Sequence, residues 1–99
     1  MPAYLIGRVE VRDPAWVEEY GPKVQALVQK HGGRYLVRGG EMDVVEGTTP
    51  PSSVMVVIEF PSMEQARAWY HDPEYAPLIT LRQSGSDAEL ILADGLSDS

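Results

Sequence analysis

Ninety-nine residues with 43% hydrophobic side chains can fill the core of one small domain. The formal net charge is −7 and only eight residues are Lys or Arg, with no basic run; this excludes a reader of phosphate backbones, which needs clustered cations to displace counterions. The absence of cysteine excludes disulfides, thiolate catalysis and cysteine-based zinc sites.

The opening MPAYLIGRVEV is too short and too alternating for a signal peptide, and no apolar run approaches the ~18 residues of a membrane span. A soluble, cytoplasmic protein is the expectation. Within this stretch, period-2 alternation predicts a strand over 3–11, with Leu5, Gly7, Val9 and Val11 on one face and Tyr4, Ile6, Arg8 and Glu10 on the other. Asp13-Pro14 then begins a helix, Asp13 as its cap and Pro14 at the first position, where a missing N–H costs nothing. Val17, Tyr20, Val24, Leu27 and Val28 recur at helical spacing. Gly21-Pro22 interrupts them. Pro22 removes the bond to the Glu18 carbonyl and clashes there, a cost of about 3 kcal/mol in an unbroken helix, which predicts a kink or two short helices meeting at Gly21. Lys30-His31-Gly32-Gly33 ends the segment with a cation for the dipole and glycine for the cap.

Arg34-Tyr35-Leu36-Val37-Arg38 reads as a second strand, broken by Gly39-Gly40 and resumed over 41–46 after a bulge or turn. Residues 47–53 are loop-like. The strongest strand signal in the chain follows. Val54-Met55-Val56-Val57-Ile58-Glu59-Phe60 is β-branched and aromatic, free of Gly and Pro, and sends Val54, Val56, Ile58 and Phe60 to one face and Met55, Val57 and Glu59 to the other. Both faces are mainly apolar, so this strand should be covered on both sides. Pro61 stops it, and Ser62 with Gln65 makes the S-x-x-Q form of a capping box for the next helix. Asp72-Pro73 ends that helix and caps a short one over 74–82, disrupted at Pro77. Ser84-Gly85-Ser86 is a turn, 88–93 a last strand and 94–99 a polar tail.

The order β-α-β-β-α-β predicts a single ferredoxin-like α+β domain over residues 1–95, with a polar tail at 96–99. One four-stranded antiparallel sheet would carry both helices on one face. The other face, with Met55, Val57, Tyr4, Ile6 and Ile91, is an apolar patch rarely left to water, which predicts a homodimer packed sheet against sheet.

The natural pocket in such a fold lies between sheet and helices, or at the edge of the sheet where the two partners meet. Arg38 ends a strand before Gly39 and Gly40, which permit positive φ or close backbone approach to a ligand, so its guanidinium could clamp a carboxylate. The plainer alternative is an ion pair with Glu59 or Glu41. Glu59, the one charge in the most buried strand, is a candidate general base or the partner of Arg8 or Arg38. His71, beside Asp72 at a helix end, is a candidate base, a haem ligand or simply a cation on the dipole; His31 reads as a helix-end residue. Trp69, Tyr70, Tyr75 and Tyr4 could line an apolar pocket or belong to the core. Neither histidine has a ligating partner at i+3 or i+4, and no phosphate loop, Ser-His-Asp or Gly-x-Ser-x-Gly pattern occurs, so neither a metal nor another cofactor is expected.

The runs Arg34-Tyr-Leu-Val-Arg38-Gly39-Gly40, Val57-Ile-Glu-Phe-Pro-Ser62, Ala68-Trp69-Tyr70 and Asp72-Pro73-Glu74-Tyr75 together resemble the DUF1330 family of uncharacterised bacterial proteins, over nearly the whole chain. Pro22 and Pro77 depart from the family's smoother helices. The resemblance implies a dimeric α+β barrel, a superfamily that also holds small cofactor-independent monooxygenases, isomerases and cyclases and some haem-handling enzymes. Two functions follow as expectations. In the first, an enzyme without a cofactor acts on a small organic acid, lactone or quinone-like molecule: Arg38 holds an anionic group, His71 or Glu59 moves a proton, and Trp69, Tyr70 and Tyr75 exclude water. A haem-binding version requires His71 to point into an open cavity. In the second, a non-catalytic homodimer binds a small ligand or serves as an accessory subunit.

Overall fold

Alternating apolar runs become strands whose buried sides face the same way. The computed structural model describes residues 1–47 and 54–96, with strands β1 (Ala3–Val11), β2 (Arg34–Arg38), β3 (Val54–Phe60) and β4 (Ser86–Asp94). They form one antiparallel sheet in the order β2-β3-β1-β4. Helices α1 (Val17–Lys30), α2 (Met63–Tyr70) and α3 (Ala76–Gln83) complete a ferredoxin-like α+β fold. The register sets Ala3 opposite Phe60 and Leu5 opposite Ile58. These four are buried together with Val24, Leu27 and Val28 of α1, Ala66 and Trp69 of α2, and Leu78 of α3. All three helices therefore cover one face of the sheet.

Local signals explain most boundaries. Asp13 accepts the Ala15 N–H at 3.0 Å and caps a 3-10 turn, Pro14–Trp16, which leads directly into α1. Ser62 accepts the Gln65 N–H at 3.1 Å and caps α2. Three expectations need correction. First, of the kink and the two short helices expected at Gly21, the second does not occur: α1 is one helix running through Pro22. Glu18 and Pro22 are both exposed, so the carbonyl that loses its bond there lies on the solvent side of the helix, where the loss costs least. Second, Pro77 does not disrupt a helix but lies in the first turn of α3, where its missing N–H goes unnoticed. Asp72 instead builds the preceding turn, accepting the Glu74 N–H on Oδ1 and the Tyr75 N–H on its carbonyl, both at 2.8 Å. Third, residues 41–46 form no strand. Gly39 makes the last ladder bond, to the Met55 carbonyl at 2.9 Å, and the positive φ of Gly39 and Gly40 (76° and 88°) then turns the chain off the sheet edge.

β4 is longer than the predicted 88–93, because Ser86 already pairs with Val11 and Asp94 still pairs with Ala3. Asp94 is thus strand rather than tail. The expected loop at 48–53 and the last tail residues, 97–99, lie outside the described residues.

The uncovered face is organised in rows. Val37, Val57, Ile6 and Ile91 are cross-strand neighbours in sequence, an apolar row four strands wide. Ile6 and Ile91 are 39% and 59% exposed. A polar row flanks it on each side: Arg34, Glu59 and Tyr4 on one, Arg8 and Glu89 on the other. Among the described residues, no helix is long and apolar enough to cross a membrane.

Candidate functional site

The helices do not fill the space above the sheet. A cavity of about 180 Å³ remains, floored by Leu5, Val56, Ile58 and Leu90 and walled by Trp16, Tyr20, Val24, Trp69, Tyr75 and Arg82. An apolar cavity of about 150 Å³ holds a benzene-sized guest, so this one matches a single substituted ring. Val17, Gly21 and Arg38 belong to the lining and also reach solvent, which marks where the cavity opens.

One corner of this apolar space is charged. Arg82, only 5% exposed, is a buried cation with no carboxylate paired to it among the described residues. Its Nη1 donates to the Tyr75 hydroxyl at 3.1 Å and more weakly to that of Tyr20 at 3.4 Å. The two hydroxyls lie 2.6 Å apart. One proton lies between them, so one of the pair keeps a spare O–H to donate. Burial, reinforced by the neighbouring Tyr20, pushes the Tyr75 phenol above the ordinary tyrosine range, and burial pushes Tyr35 up to about 12. Both remain donors at neutral pH, and the guanidinium remains charged. Among the described residues, the buried side-chain nitrogens without a partner are Trp16 Nε1, Trp69 Nε1 and Arg82 Nε, and all three residues line this cavity. Buried polar groups are ordinarily satisfied, so three unpaired donors in residues of one wall are a departure; the nitrogens themselves are packed within the protein rather than open to the void, Trp16 Nε1 against Gly85.

Arg38 reaches the cavity through an irregularity. In β2, Tyr35 pairs with Ile58 but Val37 already pairs with Val57, a bulge that takes Leu36 out of register. Strict alternation would put Arg38 on the opposite face from Tyr35. The bulge restores it to the helix side, with its guanidinium carbon 4.9 Å from the Tyr35 ring centroid and Nη1 donating to Gln25 Oε1 at 3.2 Å. Arg38 therefore sits at the mouth, paired with neither Glu59 nor Glu41.

Of the residues singled out from sequence, the cavity brings together Arg38, Trp69 and Tyr75. Glu59 lies on the uncovered face, where Oε1 accepts from Arg34 Nε at 2.8 Å and Oε2 from the Tyr4 hydroxyl at 3.2 Å. Its partner is thus Arg34 rather than Arg8 or Arg38, and Tyr4 points away from the cavity with it. His71 is exposed at the end of α2, its ring edge-on to Tyr70 at 5.4 Å. Tyr70 packs on Trp69 and Tyr75 behind the cavity wall. The haem-binding version needed His71 in an open cavity; His71 is outside it, and about 180 Å³ is far below the volume of a haem. Gly39 and Gly40 serve their positive φ: a Cβ on either would meet nothing within 4 Å. His31 is more than a helix end, since its Nε2 lies 2.8 Å from Asp72 Oδ2, which also accepts from Lys30 Nζ at 3.0 Å.

Sequence reading missed Tyr20, Tyr35 and Arg82 as site residues. Arg82 had a signal. Tyr75, Leu78, Ile79 and Arg82 stand at i, i+3, i+4 and i+7, the apolar stripe of α3, and a cation in a stripe position is out of place. Reading Pro77 as a disruption hid that stripe.

The sequence pattern described as Domain of unknown function (DUF1330) matches residues 2–96. No curated protein matches the chain significantly. Among solved structures, a protein of unknown function from Rhodopseudomonas palustris is similar with a TM-score of 0.77 at 20% identity, over 97% of this chain and 83% of that one. SnoaB, a cofactor-independent oxygenase from Streptomyces nogalater, is similar with a TM-score of 0.67 at 16% identity, over 97% and 94%. A dimeric protein of unknown function and ferredoxin-like fold from Bacteroides fragilis gives 0.63 at 12%, over 95% and 96%. At these identities the likeness carries the fold, and the match along the sequence carries the family: the chain is a member of the DUF1330 family.

Proposed function

We propose that this protein is a homodimer that holds one small organic acid-like molecule in the cavity of each protomer and turns it over without a metal or organic cofactor. The observation that carries the reading is the cavity itself, apolar, sized for one ring and furnished with the Arg82–Tyr20–Tyr75 corner. Likeness of fold to SnoaB, described as a cofactor-independent oxygenase, favours turnover by analogy alone. Arg38 stands at the mouth, where it meets an anionic group on the way in, and Trp69 and Tyr75 keep water out. His71 and Glu59 stand outside the lining, so no proton-transfer step is assigned to them. The row Val37–Val57–Ile6–Ile91 gives the homodimer its apolar seam, and the flanking charged rows give it a register.

A second reading, a ligand-binding homodimer without turnover, is favoured by one feature: among the described residues, the cavity lining contains no carboxylate or imidazole. A thermal-shift screen against small carboxylic acids, lactones and quinols separates binding from silence, because a ligand at ~100 times its Kd adds roughly 2.7 kcal/mol to stability. Hits are then followed for consumption, with dioxygen uptake measured in parallel. Binding with consumption supports the enzyme, and binding without it supports the second reading. Silence across the panel counts against the cavity as a ligand site.

A further inference from the structure

A buried guanidinium is costly unless a charge or a full set of acceptors meets it. Arg82 has neither. Its described partners are two neutral phenols, which accept from Nη1 but carry no charge, and its Nε, packed within the protein, has none. The cost is not repaid by other elements facing the cavity, since neither the sheet floor nor α1 brings a carboxylate to the lining. Holding a cation there is reasonable if a ligand supplies the missing negative charge. The surroundings then describe that ligand. The walls are aromatic and aliphatic, the volume of about 180 Å³ admits one ring, and the polar groups at the corner are all donors: a guanidinium and the spare hydroxyl of the Tyr20–Tyr75 pair. Among the described residues, no group in the lining accepts a proton near neutrality, so the guest arrives ionised or ionises through its own acidity.

We infer that the cavity is a binding site for a single-ring aromatic molecule bearing one anionic oxygen group, with Arg82 as counterion and the Tyr20–Tyr75 pair as hydroxyl donor. This rests on the pocket proposed above. It assigns the charge recognition to Arg82 and leaves Arg38 as the residue at the entrance. Carboxylate and phenolate share this chemistry. A carboxylate uses the guanidinium through two parallel N–H donors, whereas a phenolate concentrates its charge on one oxygen.

The test measures Kd of the full chain for benzoate, for 4-nitrophenol at pH values on both sides of its ionisation, and for nitrobenzene, a neutral molecule of the same shape as benzoate. Benzoate or 4-nitrophenolate should bind about tenfold or more tighter than nitrobenzene, the range expected of a hydrogen bond to a charged group. If 4-nitrophenolate is the guest, the phenolate band of the bound dye should appear at a lower pH than in free solution. Preference for benzoate identifies a carboxylate, and preference for the dye a phenolate. Arg82→Met should erase the preference for the anion to within about twofold while nitrobenzene affinity stays. Nitrobenzene binding as tightly as both anions overturns the inference but leaves the pocket intact. Failure of all three to bind overturns both. Should Arg82→Met not fold, the anion-to-neutral ratio in the unaltered protein decides alone.

Discussion

Two buried charges sit at opposite ends of the helical layer and are treated in opposite ways. Asp72, 8% exposed, is saturated: Oδ1 accepts from the Glu74 N–H, while Oδ2 meets Lys30 Nζ and His31 Nε2. These contacts tie the end of α1 to the turn between α2 and α3. Arg82, 5% exposed, has two phenolic partners and an idle Nε. The first arrangement is complete within the chain, as a structural ion cluster must be. The second leaves a positive charge without a negative partner among the described residues, which is what the anion proposed above would supply. Equal burial therefore does not mean equal purpose, and the unfilled hydrogen-bond inventory distinguishes them.

Removing Asp72 should have the largest effect on stability. The His31 contact first, then the Glu74 N–H and Lys30, hold its carboxyl well below the usual carboxylate range. A group whose pKa is depressed on folding contributes stability above its unfolded value, about 3.9, and that contribution is lost as pH falls below it. Lys30 is shifted up by its bonds to Glu74 and Asp72, so its smaller share is lost only at strongly alkaline pH. Asp72→Asn should lower the thermal midpoint at pH 7 more than either Gly85→Ala or Arg82→Met, and flatten the acid limb of the stability profile. A midpoint equal to that of the unaltered protein at pH 7 would remove the cluster's structural role.

Gly85→Ala should come next. Gly85 lies against Trp16, a cavity wall: an added Cβ would overlap the Asp13 carbonyl oxygen and stand 2.5 Å from Trp16 Cδ1. The Asp13 oxygen is backbone and the indole is buried, so neither yields easily. Overpacking of this kind costs typically 1–3 kcal/mol. Chemical denaturation should show that loss with an unchanged m-value, and weaker binding of any cavity ligand with it.

Arg82→Met should lack the loss expected of a buried charged residue. The substitution gives up two bonds to a charged group, worth roughly 1.5–3 kcal/mol each, but also removes the several-kcal/mol desolvation cost of an uncompensated cation; the two nearly cancel, so the free protein should stay within ~1 kcal/mol of its original stability. Tyr20 and Tyr75 still hold each other. A loss comparable to that of Asp72→Asn would make the two charges alike, both structural.

The parts of the fold that follow from period were legible. The faces of β1 and β3, the Asp13 and Ser62 caps and the turn at Gly39-Gly40 each need only local chemistry. What escaped was context. Pro22 and Pro77 read as breaks because their cost depends on position in a helix and on which carbonyl is freed. The bulge at Leu36 left no composition signal, yet it decides the face that Arg38 serves. Glu59 looked buried because β3 is apolar on both sides, but its own side of the sheet is the uncovered one. The Arg82 corner joins α1 to the end of α3, 62 residues apart in the Tyr20–Arg82 bond, a separation no local pattern spans.

The smallest effect belongs to the Arg34–Glu59 pair, which serves as a more exposed control for the two buried charges. Their contact is 2.8 Å, but the Arg34 side chain is 72% exposed. In water such a pair is worth about 0.2–1 kcal/mol by double-mutant cycle. Arg34→Ala with Glu59→Gln should give a coupling in that range at protein concentrations where the chain is monomeric. The proposed dimer covers this face, and covering it changes the dielectric around the pair. The coupling should then depend on concentration, rising or reversing as the protein associates, with Ile91→Glu holding it at the monomer value. A coupling that stays constant while sedimentation shows association would place the dimer seam elsewhere on the molecule.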